Sequence, residues 1–197
     1  MGNRGLLVTA TVVIMSVLLL ASFGMIMSAY GDTSHGDRQV QVSGVLDTQR
    51  SYFNGPPFPV IAAPYSVTVI DYNVLSVQYD GSGNHVGNGN TLTTLAVDTT
   101  GIGRASGTGT FWGTVGDSKP GFYTFIDTFT IDTTQTPAPV TGNLVIVQGS
   151  GMGGLVGICG TETFQGAVNL ATGAGVFTYN LEAQFGNSCS QSNAQSG

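Results

Sequence analysis

Four polar or amphipathic side chains are the strongest candidates for chemistry in this chain of 197 residues. Tyr123 and Asp127 lie in YTFIDTFTI, Glu162 lies in TETF, and Tyr179 lies in VFTYNLEA. Each shares a two-residue repeat with apolar neighbours, which puts it on their face of a strand. Burial raises the pKa of a carboxyl and keeps it neutral, so that it can donate to a ligand hydroxyl or carbonyl. We therefore predict that these four residues bind a ligand.

Each carboxyl also has a structural interpretation. A β-bulge would turn Asp127 outward, and a hydrogen bond to a neighbouring strand would satisfy it without a ligand. The same alternative holds for Glu162, which lies near the start of its strand. Both interpretations stay open at this point.

A glycine-rich stretch, VIVQGSGMGGLVGI at 145–158, has the Gly-x-Gly-x-x-Gly spacing of a dinucleotide-binding turn. Such a site needs a helix after the glycines and an acidic residue about 20 positions further on. Residues 155–164 are instead rich in glycine and β-branched residues, and residues 171–175 contain no carboxylate. The sequence therefore predicts no cofactor, and we expect a turn and a sharply bent strand over 149–160.

No metal site is predicted either. His35 and His85 are 50 residues apart, and neither has a partner at ligand spacing. The segment DGSGNHVGNGNT at 80–91 lacks the glycine and the glutamate that a calcium loop needs at its sixth and twelfth positions.

The elements that must position these side chains are short β-branched and aromatic runs separated by Gly, Pro, Asn and Asp. The predicted strands are Gln39–Asp47, Tyr65–Tyr72, Val74–Asp80, Thr91–Asp98, Ala105–Val115, Phe122–Asp132, Gly142–Gln148, Thr161–Leu170 and Ala174–Gln184. They predict an all-β fold, a single antiparallel barrel of about eight strands over 38–185. A two-sheet sandwich is the alternative. Between them we predict an extended loop or an edge strand at 54–64 and loops at 81–90 and 133–139, with a polar tail at 186–197.

The first 31 residues differ from the rest of the chain. Residues 5–31 carry no charge and follow the lone cation Arg4, which is typical of an export signal or of an N-terminal membrane anchor helix. The apolar stretch approaches the ~20 residues that span a bilayer, so both interpretations stay open. We expect the domain to be secreted or anchored on the outer side of the cytoplasmic membrane, with membrane contact only through residues 5–30 if they are retained.

Charge and cysteine content limit the partners and the compartment. Residues 32–197 contain four basic and eleven acidic residues, so nucleic acid is not an expected partner. Cys159 and Cys189 lie in an exported segment, where we predict that they form a disulfide. Two unpaired thiols are the alternative, and the oligomeric state is left open.

Four late segments carry a resemblance to a known family. They are GTGTFWGTV at 107–115, GFYTFIDTFTID at 121–132, GNLVIVQGSGMGGLVGICGTETF at 142–164 and GVFTYNLE at 175–182. Together they resemble the second half of barrels of the allene-oxide-cyclase and dirigent superfamily, and most of all an uncharacterised bacterial family within it. The resemblance implies an eight-stranded antiparallel barrel. It implies no catalytic residue for this chain.

Three functions from different classes fit these observations. The one we predict is an exported barrel that binds a small apolar or amphiphilic molecule in its interior without catalysis. The first alternative is an isomerase- or cyclase-like enzyme of the allene-oxide-cyclase and dirigent type, which the small number of acids, bases and nucleophiles disfavours. The second alternative is a structural cell-surface protein with a filled core. An interior cavity would separate the first two from the third.

Overall fold

The computed structural model of the protein describes residues 38–53, 57–62, 65–186 and Cys189. Ten strands lie within these residues: β1 (Arg38–Phe53), β2 (Phe58–Ala62), β3 (Tyr65–Asp80), β4 (His85–Asp98), β5 (Ile102–Gly113), β6 (Gly121–Asp132), β7 (Ala138–Ile146), β8 (Met152–Gly153), β9 (Ile158–Val168) and β10 (Gly175–Phe185). No helix in this part of the chain is long and apolar enough to cross a membrane. The predicted signal or anchor at 1–31 lies outside the described residues, as does most of the predicted tail.

Eight of these strands form a closed antiparallel barrel. The order is β1, β10, β9, β7, β6, β5, β4 and β3, and β3 pairs with β1 to close it. Strand β1 can close the barrel because Arg38–Thr48 pair with β10 while Gly44–Phe53 pair with β3. The all-β barrel that the strand pattern and the family resemblance predict is therefore confirmed, and the two-sheet alternative is wrong.

The two remaining strands are short additions to this barrel. Strand β2 pairs with the first residues of β3 and, like β1, is antiparallel to it. Strand β8 pairs with the start of β6. Strand β2 lies inside the proline-rich segment 54–64, for which we predicted an extended loop or an edge. Within the described residues β2 pairs only with β3, so it is an edge strand there, and edge strands tolerate proline.

Several predicted boundaries are corrected by the structure. Strand β3 is one strand of 16 residues, whereas the prediction divided it at Asn73, which pairs with Leu92 inside the ladder. Strand β4 begins at His85, so the turn that precedes it is shorter than the loop predicted over 81–90. Strand β7 begins at Ala138, four residues before the prediction. Each error comes from treating Gly, Asn or Pro as a chain break, although pairing on both sides holds them in the sheet.

Glycines on the inner face of β5 leave room for inward side chains from β6. Gly107 pairs with Asp127, and Gly109 pairs with Phe125. A Cβ atom at Gly109 would lie 2.3 Å from the ring of Phe125, and one at Gly107 would lie 2.4 Å from Oδ1 of Asp127. These positions therefore determine which side chains fit inside the barrel.

Two apolar clusters occupy the two ends of the barrel. The larger one fills the end where β1 begins and β10 stops, and it includes Phe111, Tyr123, Leu155 and Phe185. The guanidinium of Arg38 lies 4.8 Å over the ring of Phe185 and pairs with Asp117. The smaller cluster lies towards the opposite end and contains Leu95, Ala105, Ile131, Ala138, Val140 and Phe177.

Candidate functional site

An interior cavity of about 110 Å³ is bordered by residues of both apolar clusters. Its apolar wall includes five phenylalanines, Phe111, Phe125, Phe129, Phe164 and Phe177. Its polar groups come from β1, β3, β4, β6 and β9: Thr48, Tyr72, Ser76, Gln78, Thr91, Thr93, Asp127 and Glu162. The cavity is thus a mainly apolar space with a few converging polar groups, which is the usual composition of a small-molecule site.

The structure brings two of the four predicted ligand-binding residues into this cavity. Asp127 and Glu162 both line it, and their residues are 9% and 0% exposed. Tyr123 and Tyr179 also point inward and are buried, but they pack in the larger apolar cluster and do not line the cavity. The two-residue repeat thus gives the inward direction of all four side chains, and the position along the barrel separates the carboxyls from the phenols.

Asp127 presents a carboxylate oxygen with no partner. Its Oδ1 atom is buried and makes no hydrogen bond. Burial raises the pKa of Asp127 to about 6, although the backbone N–H groups of Gly107 and of Asp127 itself lower it. At neutral pH the group is therefore mostly ionised, and it offers an acceptor to the cavity.

Glu162 is the more deeply buried carboxyl. Burial raises its pKa to about 8, with a smaller rise from the charge of Asp127, and the hydrogen bond from Gln78 acts in the opposite direction. Gln78 donates from Nε2 to Oε2 of Glu162 over 3.5 Å, whereas Oε1 is buried without a partner. Because Oε2 accepts this bond, the proton of the neutral acid belongs on Oε1. Glu162 therefore offers a donor at neutral pH.

Several lining residues were missed by the sequence analysis. Thr91 and Thr93 alternate with outward residues along β4 and are 7% and 1% exposed. The Oγ1 atom of Thr93 is buried without a partner, like the two carboxyl oxygens. Burial, followed by the charge of Asp127, raises the pKa of Tyr72, which also lines the cavity. The alternation Gly87, Gly89, Thr91, Thr93 in the sequence is a signal that could have found the threonines, because it marks one face of small residues.

The arrangement gives the cavity both a donor and an acceptor at neutral pH. A neutral Glu162 can donate, an ionised Asp127 can accept, and the hydroxyl of Thr93 can do either. Three unpartnered polar atoms in one buried space are costly unless water or a ligand satisfies them. A molecule with an apolar body and one hydroxyl or carbonyl group matches this set.

The glycine-rich stretch lies outside this cavity and forms turns. Gly149, Gly153 and Gly157 have φ angles of 76°, 64° and 74°, which favour glycine. The stretch contains the two-residue strand β8 and leads into strand β9 at Ile158 rather than into a helix. Among the described residues, no group of three or more His, Cys, Asp or Glu side chains could hold a metal ion.

The predicted disulfide between Cys159 and Cys189 is present. The two Cα atoms lie 5.7 Å apart, across 30 residues of sequence. It ties Cys189 to the first residues of β9, next to the glycine turns. A disulfide is consistent with an extracellular location, because such bonds persist in oxidising compartments.

Comparison with known proteins yields similar folds only. No family model matches this chain, and no curated protein matches it. One similar solved structure is a pterocarpan synthase dirigent protein, with 13% identity, coverage of 79% of this chain and 99% of that chain, and a TM-score of 0.43. Another is a nonspecific heme-binding cyclase that catalyses cycloaddition during neoabyssomicin biosynthesis, with 15% identity, coverage of 94% and 81%, and a TM-score of 0.37. The assignment of the barrel rests on the strand pairing of this chain and not on these scores.

Proposed function

We propose that this protein is an exported barrel that binds a small, mainly apolar molecule with one hydroxyl or carbonyl group. The observation that carries the proposal is the pair of buried carboxyls, Asp127 and Glu162, each with one unpartnered oxygen, on a cavity walled by phenylalanines. Burial of each of these carboxyl oxygens costs free energy unless a molecule in the cavity forms a hydrogen bond with it. The alternative of a structural protein with a filled core receives no support from a cavity.

The size of the cavity limits the ligand. A volume of about 110 Å³ is of the same order as the roughly 150 Å³ of an engineered apolar cavity that holds benzene. The ligand, or the part of it that enters, therefore has about the bulk of one six-membered ring. Charge sets a second limit, because an anion would be repelled by Asp127.

The proposal is tested by the binding of phenol and of benzene, measured by calorimetry on the purified protein at pH 7. Phenol has the size of benzene plus a hydroxyl that can donate to Asp127 and accept from Glu162. We expect phenol to bind at least about tenfold more tightly than benzene, and Asp127→Asn to reduce this preference. Tyr123→Phe is the matched control, because its hydroxyl is buried outside the cavity lining. Equal affinities for phenol and benzene in the native protein would overturn the proposal.

A second candidate function rests on the different protonation of the two carboxyls. A pKa of about 6 beside one of about 8 gives a base and an acid in one cavity at neutral pH. This pair could move a proton on a bound carbonyl compound: Asp127 would take the proton next to the carbonyl while Glu162 protonates its oxygen. Deuterium incorporation into cyclohexanone in D₂O, followed by mass spectrometry, tests it. Exchange no faster than in the Glu162→Gln variant would exclude this activity.

The exported location is part of the proposal. It is supported by the charge-free segment 5–31 after Arg4 and by the disulfide. Mass spectrometry of the protein recovered from its native cell fractions would show whether this segment is removed. Recovery of the intact chain from the cytoplasm with both cysteines reduced would contradict export.

A further inference from the structure

The outer face of the barrel carries an apolar row across four strands. Leu92, Thr108, Ile126 and Val145 are successive partners in the ladders of β4, β5, β6 and β7. The three apolar members are 56%, 50% and 46% exposed. At about 4.8 Å per strand the row is about 14 Å long. Side chains of this kind are common singly on surfaces, but not as a row.

A second apolar row lies further along the same strands. Trp112 pairs with Phe122, which pairs with Met152 of β8. Trp112 is 46% exposed and Met152 is 48% exposed. Large aromatic and Met side chains that remain half exposed are typical of the central part of protein interfaces.

No charged side chain lies among these rows or between them. We define the neutral face as the outward residues Asn88, Asn90, Leu92, Thr94, Ser106, Thr108, Thr110, Trp112, Phe122, Thr124, Ile126, Thr128, Asn143, Val145 and Met152. The chain has a net charge of −6. Of its described carboxylates outside the cavity, Asp71 borders this face on β3, where it accepts a hydrogen bond from Thr94. The others lie elsewhere: Asp47, Asp80, Asp98, Asp117, Asp132 and Glu182.

We propose that the neutral face is a self-association surface, on which a second copy of this chain docks. A second copy has the same net charge, so two copies meet with least repulsion where neither has a carboxylate. A two-fold arrangement places the apolar row of one copy on that of the other, because the same patch serves both partners. A basic partner would instead be drawn to the turns that carry Asp80, Asp98 and Asp132, which are not part of this face.

The size of the face sets the strength of the contact. Counted as full widths of about 4.8 Å per strand and about 6.8 Å per row, four strands by four rows cover about 19 Å by about 27 Å, or about 500 Å² per copy. Stable interfaces bury about 800 Å² per partner, and contacts below about 600 Å² per partner are weak and reversible. We therefore expect a dimer that forms at high concentration and dissociates on dilution.

Sedimentation of the full chain, combined with the fluorescence of its single tryptophan, tests this proposal. Between about 5 µM and about 500 µM we expect the average mass to rise towards twice that of the monomer. The Trp112 emission should shift to shorter wavelength over the same range, because the docked copy removes water from the indole. A constant mass, or a mass change without a shift of the emission, would overturn the proposal.

Variants locate the contact. Ile126→Thr removes apolar area from the centre of the row, and Thr108→Asp places a like charge opposite its counterpart in the second copy. We expect each to raise the dissociation constant at least about tenfold. Val176→Thr is the matched control, since Val176 is 60% exposed on β10, away from this face. Association that persists in both variants, for example through residues 1–31, would refute the neutral face as the contact. Melting curves confirm that each variant is folded.

Discussion

Replacing Glu162 by Gln should stabilise the barrel at alkaline pH. A carboxyl whose pKa is raised in the folded state opposes folding once it is ionised, so stability falls as pH rises from the unfolded to the folded value. For Glu162 that window runs from the ordinary value of 4.5 to about 8. At about 1.4 kcal/mol per pH unit the full effect is about 5 kcal/mol. Glutamine has nearly the same shape and no charge, so Glu162→Gln should lose this dependence.

The other titrating groups set the shape of the expected curve. Ionisation of Asp127 lowers the free energy of unfolding by a further amount of about 3 kcal/mol between pH 4 and its pKa of about 6. Side-chain hydrogen bonds are the largest cause of the lowered pKa values of Asp80, Asp98 and Asp132. Protonation of these carboxylates therefore destabilises the folded domain as pH falls below their ordinary pKa of 3.8. Stability should therefore be greatest near pH 4 to 5.

Urea unfolding between pH 4 and 9 measures this dependence, with the disulfide kept oxidised. We expect the free energy of unfolding to fall by several kcal/mol from pH 5 to 9 in the native protein, and much less in Glu162→Gln. Gln165→Glu is a control for the substitution itself, because Gln165 lies on the outer face of the same strand. A native curve that is flat from pH 5 to 9 would refute the burial of an ionisable Glu162.

Three further predictions concern a glycine turn, the disulfide and the cavity. Gly154→Val should destabilise the domain by more than about 3 kcal/mol, because a Cβ there would lie 2.0 Å from the backbone oxygen of Lys119. Gly81→Val should cost little, because the nearest atom to a Cβ at Gly81 is 3.6 Å away, and equal melting temperatures of the two variants would contradict this. Replacing both disulfide cysteines by Ser should cost about 3 kcal/mol in urea unfolding, since the bond closes a loop of 30 residues, and an unchanged midpoint would show that the tail contributes nothing. Gly107→Ala should abolish phenol binding by displacing the Asp127 carboxylate, and unchanged calorimetry would place the ligand elsewhere.

The direction of each side chain could be predicted from the sequence wherever polar and apolar residues alternate. In β6 and β10 the two-residue repeat put Tyr123, Asp127 and Tyr179 on the inner face, where the structure has them. It failed in β4, because an inner face of glycine and threonine has no apolar signal.

The position of a residue along the barrel could not be predicted in the same way. Asp127 reaches the cavity and Tyr123, on the same face of the same strand, lies in the apolar cluster. This difference depends on how far neighbouring strands are shifted relative to one another, which is a property of the closed barrel and not of one strand. The hydrogen bond from Gln78 of β3 to Glu162 of β9 likewise joins two residues that are 84 positions apart in the sequence.

The central claim is that the barrel interior holds a small molecule between Asp127 and Glu162. A crystal structure of the protein grown with phenol tests it most directly. We predict electron density for one ring against the phenylalanines, with the phenol oxygen about 3 Å from Oδ1 of Asp127 or Oε1 of Glu162. A cavity that contains only water at saturating phenol, with both carboxyl oxygens hydrogen-bonded to that water, would contradict the claim.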